Sequence, residues 1–296
     1  MDDGDSAPDD AAAVMASQPF IVVMAATSES YDPSWLQVCD VVLPKGDDSI
    51  PEIVANVEAN PRAAVALGLL LRGQPRRTLE DGLVAESAVY SMLQGGSEFA
   101  TWRAGRPIRT HADDDGNRVR IQRNGRTLVV TLSRPAVRNA FDSRMRDELL
   151  DALRIALVDD EISQVELRGE GPSFCAGGDL DEFGSRADPA IAHIIRLSRS
   201  VARTMVDLRD LTTVYLHGSC VGSGIELAAF AGTIVASADT AISLPEVALG
   251  LIPGAGGTVS LPARIGRLRT GWLALSRRTI GAATAHEWGL VDRVDA

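Results

Sequence analysis

The stretch TTVYLHGSCVGSGIELAAFAGTIVASA, residues 212–238, decides the fold class. Its first seven residues are rich in β-branched side chains and predict a strand, and TIVASA at 233–238 predicts a second strand. Between them, a glycine-rich turn leads into SGIELAAFA at 223–231, which is typical of a helix start. A strand, a turn, a helix and another strand form the repeating unit of an α/β fold.

The same pattern continues on both sides of this stretch. VRIQRNGRTLVVTLS at 119–133 predicts a hairpin with its turn at Asn124-Gly125. A stripe of Leu and Met side chains predicts a helix from Ser143 to Val158. Further along the chain we predict a strand at 164–169, an amphipathic helix at 189–209 and a short strand at 241–245. Residues 119–296 are therefore expected to form one α/β core.

A polar break, GRPIRTHADDDGNR at 105–118, predicts a linker before this core. Residues 19–104 form a separate region with two short strands and then helices. In the last long helix of that region, Thr78 is the expected N-cap and Asp81 the residue at N3. Residues 1–18 begin with ten residues that include five Asp and no basic residue, and we expect a disordered acidic tail.

The composition excludes several classes of protein. The chain has 296 residues, is 45% hydrophobic and carries a formal net charge of −11, which disfavours a nucleic-acid partner. It has no uninterrupted apolar run of membrane-spanning length and no basic, apolar N-terminal signal, so we expect neither a membrane span nor secretion. The three cysteines and four histidines have no metal-ligand or disulfide spacing. We therefore expect a cytoplasmic protein without a metal site.

Three glycine-rich turns each follow a predicted strand: CAGGDL at 175–180, GSCVGSGIEL at 218–227 and GLIPGAGGT at 250–258. Glycine lets the backbone approach a ligand closely and aim its N–H groups at one point. Two such N–H groups can hold a developing oxyanion. Each turn alone is weak support for a site, because ordinary strand-to-helix turns look similar.

Two glutamates lie in apolar surroundings near these turns. Glu226 follows the second turn in GSGIELAAFAG, and Glu246 lies in ISLPEVALGLIPG. Such a carboxylate either points to solvent or is buried with a raised pKa. Each glutamate alone fits the solvent-exposed interpretation better. Together, beside the turns, they fit a pair for general acid–base catalysis.

Five motifs in order carry a family resemblance: RPAVRNAF at 134–141, SFCAGGDL at 173–180, HGSCVGSGIELA at 217–228, SLPEVALGLIPGAGGT at 243–258 and TAHEWGLVDRV at 284–294. On these motifs, residues 118–296 resemble the crotonase superfamily and specifically its enoyl-CoA hydratases. The resemblance implies a spiral of repeated ββα units, an acyl-CoA substrate and no cofactor beyond the coenzyme A of that substrate. It also implies a homo-oligomer, either a trimer or a hexamer.

The resemblance also implies a role for each matching residue. The backbone N–H groups of Gly178 and Ser223 would hold the thioester oxygen, while Glu226 and Glu246 would position water and transfer its proton. Arg138 is either a partner of a CoA phosphate or a surface residue. The segments expected to border coenzyme A contain Ala136, Val137, Arg138, Ala176, Gly177, Asp179 and Leu180.

The resemblance therefore predicts a lyase that hydrates 2-enoyl-CoA thioesters. The alternatives are another crotonase reaction (isomerisation, thioester hydrolysis or cofactor-free oxygenation) and a non-catalytic acyl-CoA-binding subunit. The N-terminal helices at 59–72 and 79–102 resemble the C-terminal helical segment of the family, for which we find no counterpart after residue 294. We expect a circular permutation of that segment. The alternative is an unrelated N-terminal domain.

Overall fold

The computed structural model describes residues 6–8, 10–28, 32–108, 116–185 and 188–295. The chain has the predicted α/β architecture, with strands and helices alternating through the core. The strands are β1 (Val23–Ala25), β2 (Val41–Leu43), β3 (Val119–Asn124), β4 (Thr127–Leu132), β5 (Gln164–Gly169), β6 (Thr212–Leu216), β7 (Ser219–Val221), β8 (Thr233–Ser237), β9 (Ala241–Ser243), β10 (Ile280–Gly281) and β11 (Arg293–Asp295). The helices are α1 (Ala11–Met15), α2 (Trp35–Val38), α3 (Ile50–Ala59), α4 (Pro61–Gly73), α5 (Leu79–Gln94), α6 (Ser97–Ala104), α7 (Ser143–Val158), α8 (Pro189–Ser198), α9 (Val201–Asp207), α10 (Ser223–Ala228), α11 (Gly257–Ser276) and α12 (Ala282–Glu287).

The main sheet has six strands in the order β11-β8-β6-β5-β4-β3. All neighbours are parallel except the β3–β4 hairpin. A second sheet has the order β10-β9-β7. Backbone β-bridge pairing between residues 175 and 220, whose thiols are free, joins the first glycine-rich turn to β7. Two successive strands followed by a helix recur along the core, as the crotonase-like spiral predicts.

Helix α7 shows how the sequence determines these elements. The Asp142 side chain caps it by accepting a hydrogen bond of 2.7 Å from the Met145 N–H. Met145, Leu149 and Leu153 recur at spacings of four, lie on one face and are buried against the sheet. The helix bounds are those that the apolar stripe predicts.

Two predicted boundaries in the core are wrong. The helix expected at 189–209 is two helices, because the Ser200 side chain accepts a hydrogen bond of 3.2 Å from the Arg203 N–H and starts α9 as a new helix. The hairpin turn lies one residue later than expected, because Asn124 pairs with Thr127 and only Gly125 and Arg126 connect the strands. Gly125 has a φ of 61°, which a turn of this length requires.

The N-terminal helices pack on the core. Helix α11 contacts α3, α4 and α5, while α5 packs along α8. The buried Asn56 side chain donates a hydrogen bond of 3.0 Å to the carbonyl of Leu275, which lies 219 residues later. The N-cap at Thr78 is confirmed, since its Oγ1 accepts a hydrogen bond of 3.1 Å from the Asp81 N–H. This contact with the core fits a permuted helical segment, and the permutation itself stays a prediction.

The chain before β1 differs from the expected disordered tail. Residues Ala11–Met15 form helix α1, and the Met15 carbonyl accepts a hydrogen bond of 2.7 Å from the Arg72 guanidinium. The hydrogen bond ties the end of α1 to Arg72 on α4. Residue composition alone does not reveal this contact. Residues 1–5 and 9, and 109–115 of the predicted linker, lie outside the described residues. No helix in the described part of the chain has the length and apolar character to cross a bilayer.

Candidate active site

A cavity of about 280 Å³ lies between the glycine-rich turns and helices α5 and α8. All four predicted catalytic residues line its wall: Gly178, Ser223, Glu226 and Glu246. The structure therefore brings together, in one cavity, residues from three separate segments of the core.

Glu226 lies in the first turn of α10 and is 2% exposed. Its Oε2 accepts hydrogen bonds from two backbone N–H groups, Ala255 at 2.7 Å and Gly257 at 2.9 Å. Burial and the neighbouring charge of Glu246 raise the pKa of Glu226 well above its usual value, while the two N–H donors lower it. The carboxyl group is buried and held in one orientation, so the solvent-exposed interpretation is wrong for Glu226.

Glu246 opens a 3₁₀ turn after β9 and is 8% exposed. Burial raises its pKa to about 8. Its Oε2 is buried, with no hydrogen-bond partner among the described residues. A methyl group at Gly222 would lie 2.2 Å from Oε1 of Glu246 and 3.8 Å from Oε1 of Glu226, so both carboxyl groups face the same point. Two adjacent buried carboxyl groups resist double ionisation, so the pair retains a proton at neutral pH.

Two backbone N–H groups in the same wall are available to a ligand. Ser223 is the first residue of α10, where an N–H has no acceptor within its own helix. Within the described ranges, no backbone carbonyl accepts the N–H of Gly178 or Ser223. Gly177, at φ 93°, and Gly222, at φ 49°, hold left-handed conformations just before them. The positive φ angles explain why glycine precedes each donor.

The sequence analysis missed Glu86, a third buried carboxylate in the cavity wall. Glu86 comes from α5 and is 2% exposed. It accepts hydrogen bonds from the N–H groups of Gly256 at 2.6 Å and Thr258 at 2.8 Å, and from the Thr258 hydroxyl at 2.7 Å. Burial raises its pKa to about 7. Only the apolar stretch around Glu86 in AESAVY could have indicated its burial.

The third glycine-rich turn therefore has a different use from the one expected. Its N–H groups do not converge on one ligand, because those of Ala255 and Gly257 bond to Glu226 while those of Gly256 and Thr258 bond to Glu86. The turn holds two carboxylates, one on each side.

The residues predicted to border coenzyme A lie on two adjacent segments. The Ala176 N–H donates a hydrogen bond of 2.9 Å to the Arg138 carbonyl. Arg138 and Ala136 are exposed. The Asp179 side chain is buried and paired with Arg134 at 2.6 Å, so its carboxylate stabilises the turn. The seven predicted residues are Ala136, Val137, Arg138, Ala176, Gly177, Asp179 and Leu180, of which Asp179 also lines the cavity.

A spiral α/β core with paired buried carboxyl groups and two free N–H donors defines a crotonase-type site. The sequence matches the enoyl-CoA hydratase/isomerase family over residues 122–296. The chain belongs to this family.

Its similarities to individual proteins leave the exact reaction open. The chain is 34% identical over 174 residues to the 2,3-dehydroadipyl-CoA hydratase of Escherichia coli strain K12. This alignment covers 59% of this chain and 68% of that protein. It is 33% identical over 172 residues to the 1,2-epoxyphenylacetyl-CoA isomerase of the same strain, covering 56% of this chain and 65% of that one. The match thus spans about two thirds of these relatives.

Solved structures give the same assignment of the fold. An enoyl-CoA hydratase from Thermoplasma volcanium GSS1 has a TM-score of 0.57 at 34% identity, and a Thermobifida fusca YX protein solved in complex with CoA has a TM-score of 0.54 at 32% identity. In both cases the match covers 61% of this chain and 72% of the other.

Proposed function

We propose that this protein is an enoyl-CoA hydratase that adds water across the double bond of a 2-enoyl-CoA thioester. The observation that carries the proposal is the orientation of Glu226 and Glu246 toward one point in a cavity that two free backbone N–H groups also line. The substrate supplies the only coenzyme, and no metal takes part.

The two N–H groups act on the thioester oxygen. As water adds, negative charge moves to that oxygen, and the N–H groups of Gly178 and Ser223 stabilise it. Removal of one such donor typically costs about 2.7–4 kcal/mol of barrier lowering. The CoA moiety lies along the segments of Arg138 and Ala176.

The glutamates divide the proton transfers between them. The N–H donors on Oε2 favour the carboxylate form of Glu226, which takes a proton from water as the water oxygen bonds to C3. The pKa of both carboxyl groups is raised, but Oε2 of Glu246 has no hydrogen-bond partner among the described residues. Glu246 is therefore the group of the pair that carries the shared proton, and it gives that proton to C2. The product gains one water, and one proton has moved from Glu246 to Glu226.

The test is loss of the absorbance of the conjugated thioester with crotonyl-CoA and longer 2-enoyl-CoA substrates. Glu226→Gln and Glu246→Gln should each lower kcat by about 10²–10⁴-fold while CoA binding persists. Glu161→Gln, on the surface, is the matched control. Unaltered rates in both site variants would reject the assignment of the pair.

Mass detection separates the other candidate functions. Gain of water supports hydration, unchanged mass indicates isomerisation, free CoA indicates thioester hydrolysis, and added oxygen indicates oxygenation. Tight acyl-CoA binding without turnover would instead identify a binding subunit. We also propose a cytoplasmic homo-oligomer, to be tested by fractionation and by sedimentation.

A further inference from the structure

The wall of the cavity formed by α5 and α8 contains a cation that the proposed reaction does not use. Arg196 lies on α8, is partly buried and lines the same cavity as Glu226 and Glu246. Its guanidinium lies over the ring of Tyr90, 4.7 Å from the centroid. Tyr90 in turn packs on the third glycine-rich turn, since a methyl group at Gly254 would lie 2.4 Å from its ring. The cation is thus one aromatic ring away from the turn that holds Glu226.

The hydrogen-bond partners of Arg196 are all neutral. Its Nε donates to the Ser87 hydroxyl at 3.2 Å, and its terminal nitrogens donate to Gln94 Oε1 at 3.4 Å, to the Ser87 carbonyl at 3.4 Å and to the Ser91 hydroxyl. Two of these contacts are long, and a guanidinium has five N–H donors. The four contacts use four of these five donors, so one N–H of Arg196 is left without a partner among the described residues.

Among the described residues, no carboxylate forms an ion pair with Arg196. Two more deeply buried arginine side chains do have such a partner: Arg72 pairs with Asp40, and Arg134 with Asp179. The carboxylate whose charge acts on Arg196 is that of Glu86, whose oxygens are bonded to Gly256 and Thr258. A guanidinium removed from water without an ion partner is costly, and a carboxylate or phosphate matches its planar fork.

We propose that Arg196 forms a subsite for a carboxylate at the far end of the acyl chain, so that the preferred substrates are CoA thioesters of unsaturated dicarboxylic acids. The inference rests on the proposed function for the hydration reaction, whereas the binding of the terminal carboxylate does not depend on that function. Arg196 supplies one charge-assisted hydrogen bond to the terminal carboxylate, and Tyr90 forms the apolar wall beside it. An acyl chain ending in a methyl group leaves the cation desolvated and unpaired, and is disfavoured for that reason.

The experiment compares pairs of 2-enoyl-CoA thioesters of equal length, one ending in a carboxylate and the other in a methyl group, at a short and a medium length. For the unaltered protein we expect kcat/KM to favour the carboxylate by about 10–100-fold, the factor that one charge-assisted hydrogen bond supplies. In Arg196→Met the ratio should fall to about one or below, and Arg196→Lys should restore part of it. Arg203→Met, on the exposed face of α9, should leave the ratio unchanged.

A binding measurement keeps the subsite testable without turnover. Calorimetric Kd values for the saturated forms of the same pairs should differ by a similar factor in the unaltered protein and converge in Arg196→Met. Equal Kd values for each pair, or an Arg196→Met variant that weakens both members equally, would overturn the subsite and leave Arg196 as a structural residue. Absence of hydration with preserved carboxylate selectivity in Kd would instead refute the proposed reaction alone.

Discussion

Replacement of Glu86 by Gln tests whether one carboxylate positions another through a shared turn. Glu86 accepts three hydrogen bonds, one on Oε1 from Gly256 and two on Oε2 from Thr258. The alternate N–H groups of the same turn hold Glu226. Gln has nearly the same volume, but its amino group cannot accept a hydrogen bond, so at least one backbone N–H loses its partner.

The structure sets the size of the effect on stability and on turnover. A hydrogen bond to a charged group contributes about 1.5–3 kcal/mol, so Glu86→Gln should lower the free energy of unfolding by about 2 kcal/mol. The turn then shifts away from α5 and carries the donors of Glu226 with it. Since misplacement by about 1 Å can slow a reaction about 10²-fold, we expect kcat to fall by about 10–100-fold.

The pH dependence of kcat separates positioning from general loss of structure. The charge of Glu86 raises the pKa of both Glu226 and Glu246. Without that charge, the apparent pKa of the pair should fall, and the pH profile of kcat should shift toward lower pH. A loss of packing alone lowers kcat without moving the profile.

Glu80→Gln is the matched control, because Glu80 lies on the same helix, is exposed and pairs with Arg203. It should change the free energy of unfolding by less than about 0.5 kcal/mol and leave the profile in place. The measurements are urea unfolding and pH-dependent turnover of the same preparations. A Glu86→Gln variant with unaltered kcat, profile and stability would refute the positioning role.

Three further predictions concern the same elements. Gly222→Ala should lower kcat about 10²-fold in a turnover assay, because the new alanine methyl group would lie 2.2 Å from Glu246 Oε1. Gly125→Ala is the control, since Gly125 also has a positive φ but lies in open space, and it should lower stability alone. Glu246 has a folded-state pKa raised to about 8, so its contribution to stability is present below about pH 4.5 and is lost as pH rises through 8. Glu246→Gln should therefore remove a downward slope of at most about 1.4 kcal/mol per pH unit from the unfolding free energy over that range. Thr78→Ala removes the N-cap of α5 and should lower the unfolding free energy by about 1 kcal/mol, measured by urea denaturation.

Elements whose pattern is local could be predicted from the sequence. The bounds of α7 follow from its apolar stripe, and β5 follows from the alternation of apolar Val165 and Leu167 with polar residues, since each element buries one face. Ser200 shows the limit of this reasoning. The apolar periodicity continues from α8 into α9, so only the Ser200 cap reveals where one helix ends and the next begins.

The same distinction between local pattern and tertiary packing applies to the candidate site. Glu226 and Glu246 are recognisable because they lie beside glycine-rich turns within one region of the chain. Glu86 lies 170 residues before its partner Gly256, and Arg196 lies 105 residues after its partner Ser91. No local pattern connects residues so far apart in the chain. They reach the cavity because α5 packs along α8 and against α11, which only the tertiary structure reveals.

The structure explains why the third turn is rich in glycine, and the explanation differs from the expected convergence of its N–H groups on one ligand. Successive N–H groups alternate between Glu226 and Glu86, so the backbone lies between two carboxyl groups with little room for side chains. A methyl group at Gly257 would lie 2.6 Å from Glu226 Cγ, and one at Gly256, where φ is 100°, would lie 2.5 Å from the Phe230 ring. Glu226, the proposed base, is thus fixed by a turn that an N-terminal helix also holds. The proposed catalysis by residues 119–296 should therefore depend on residues 79–94, whatever the origin of that helix.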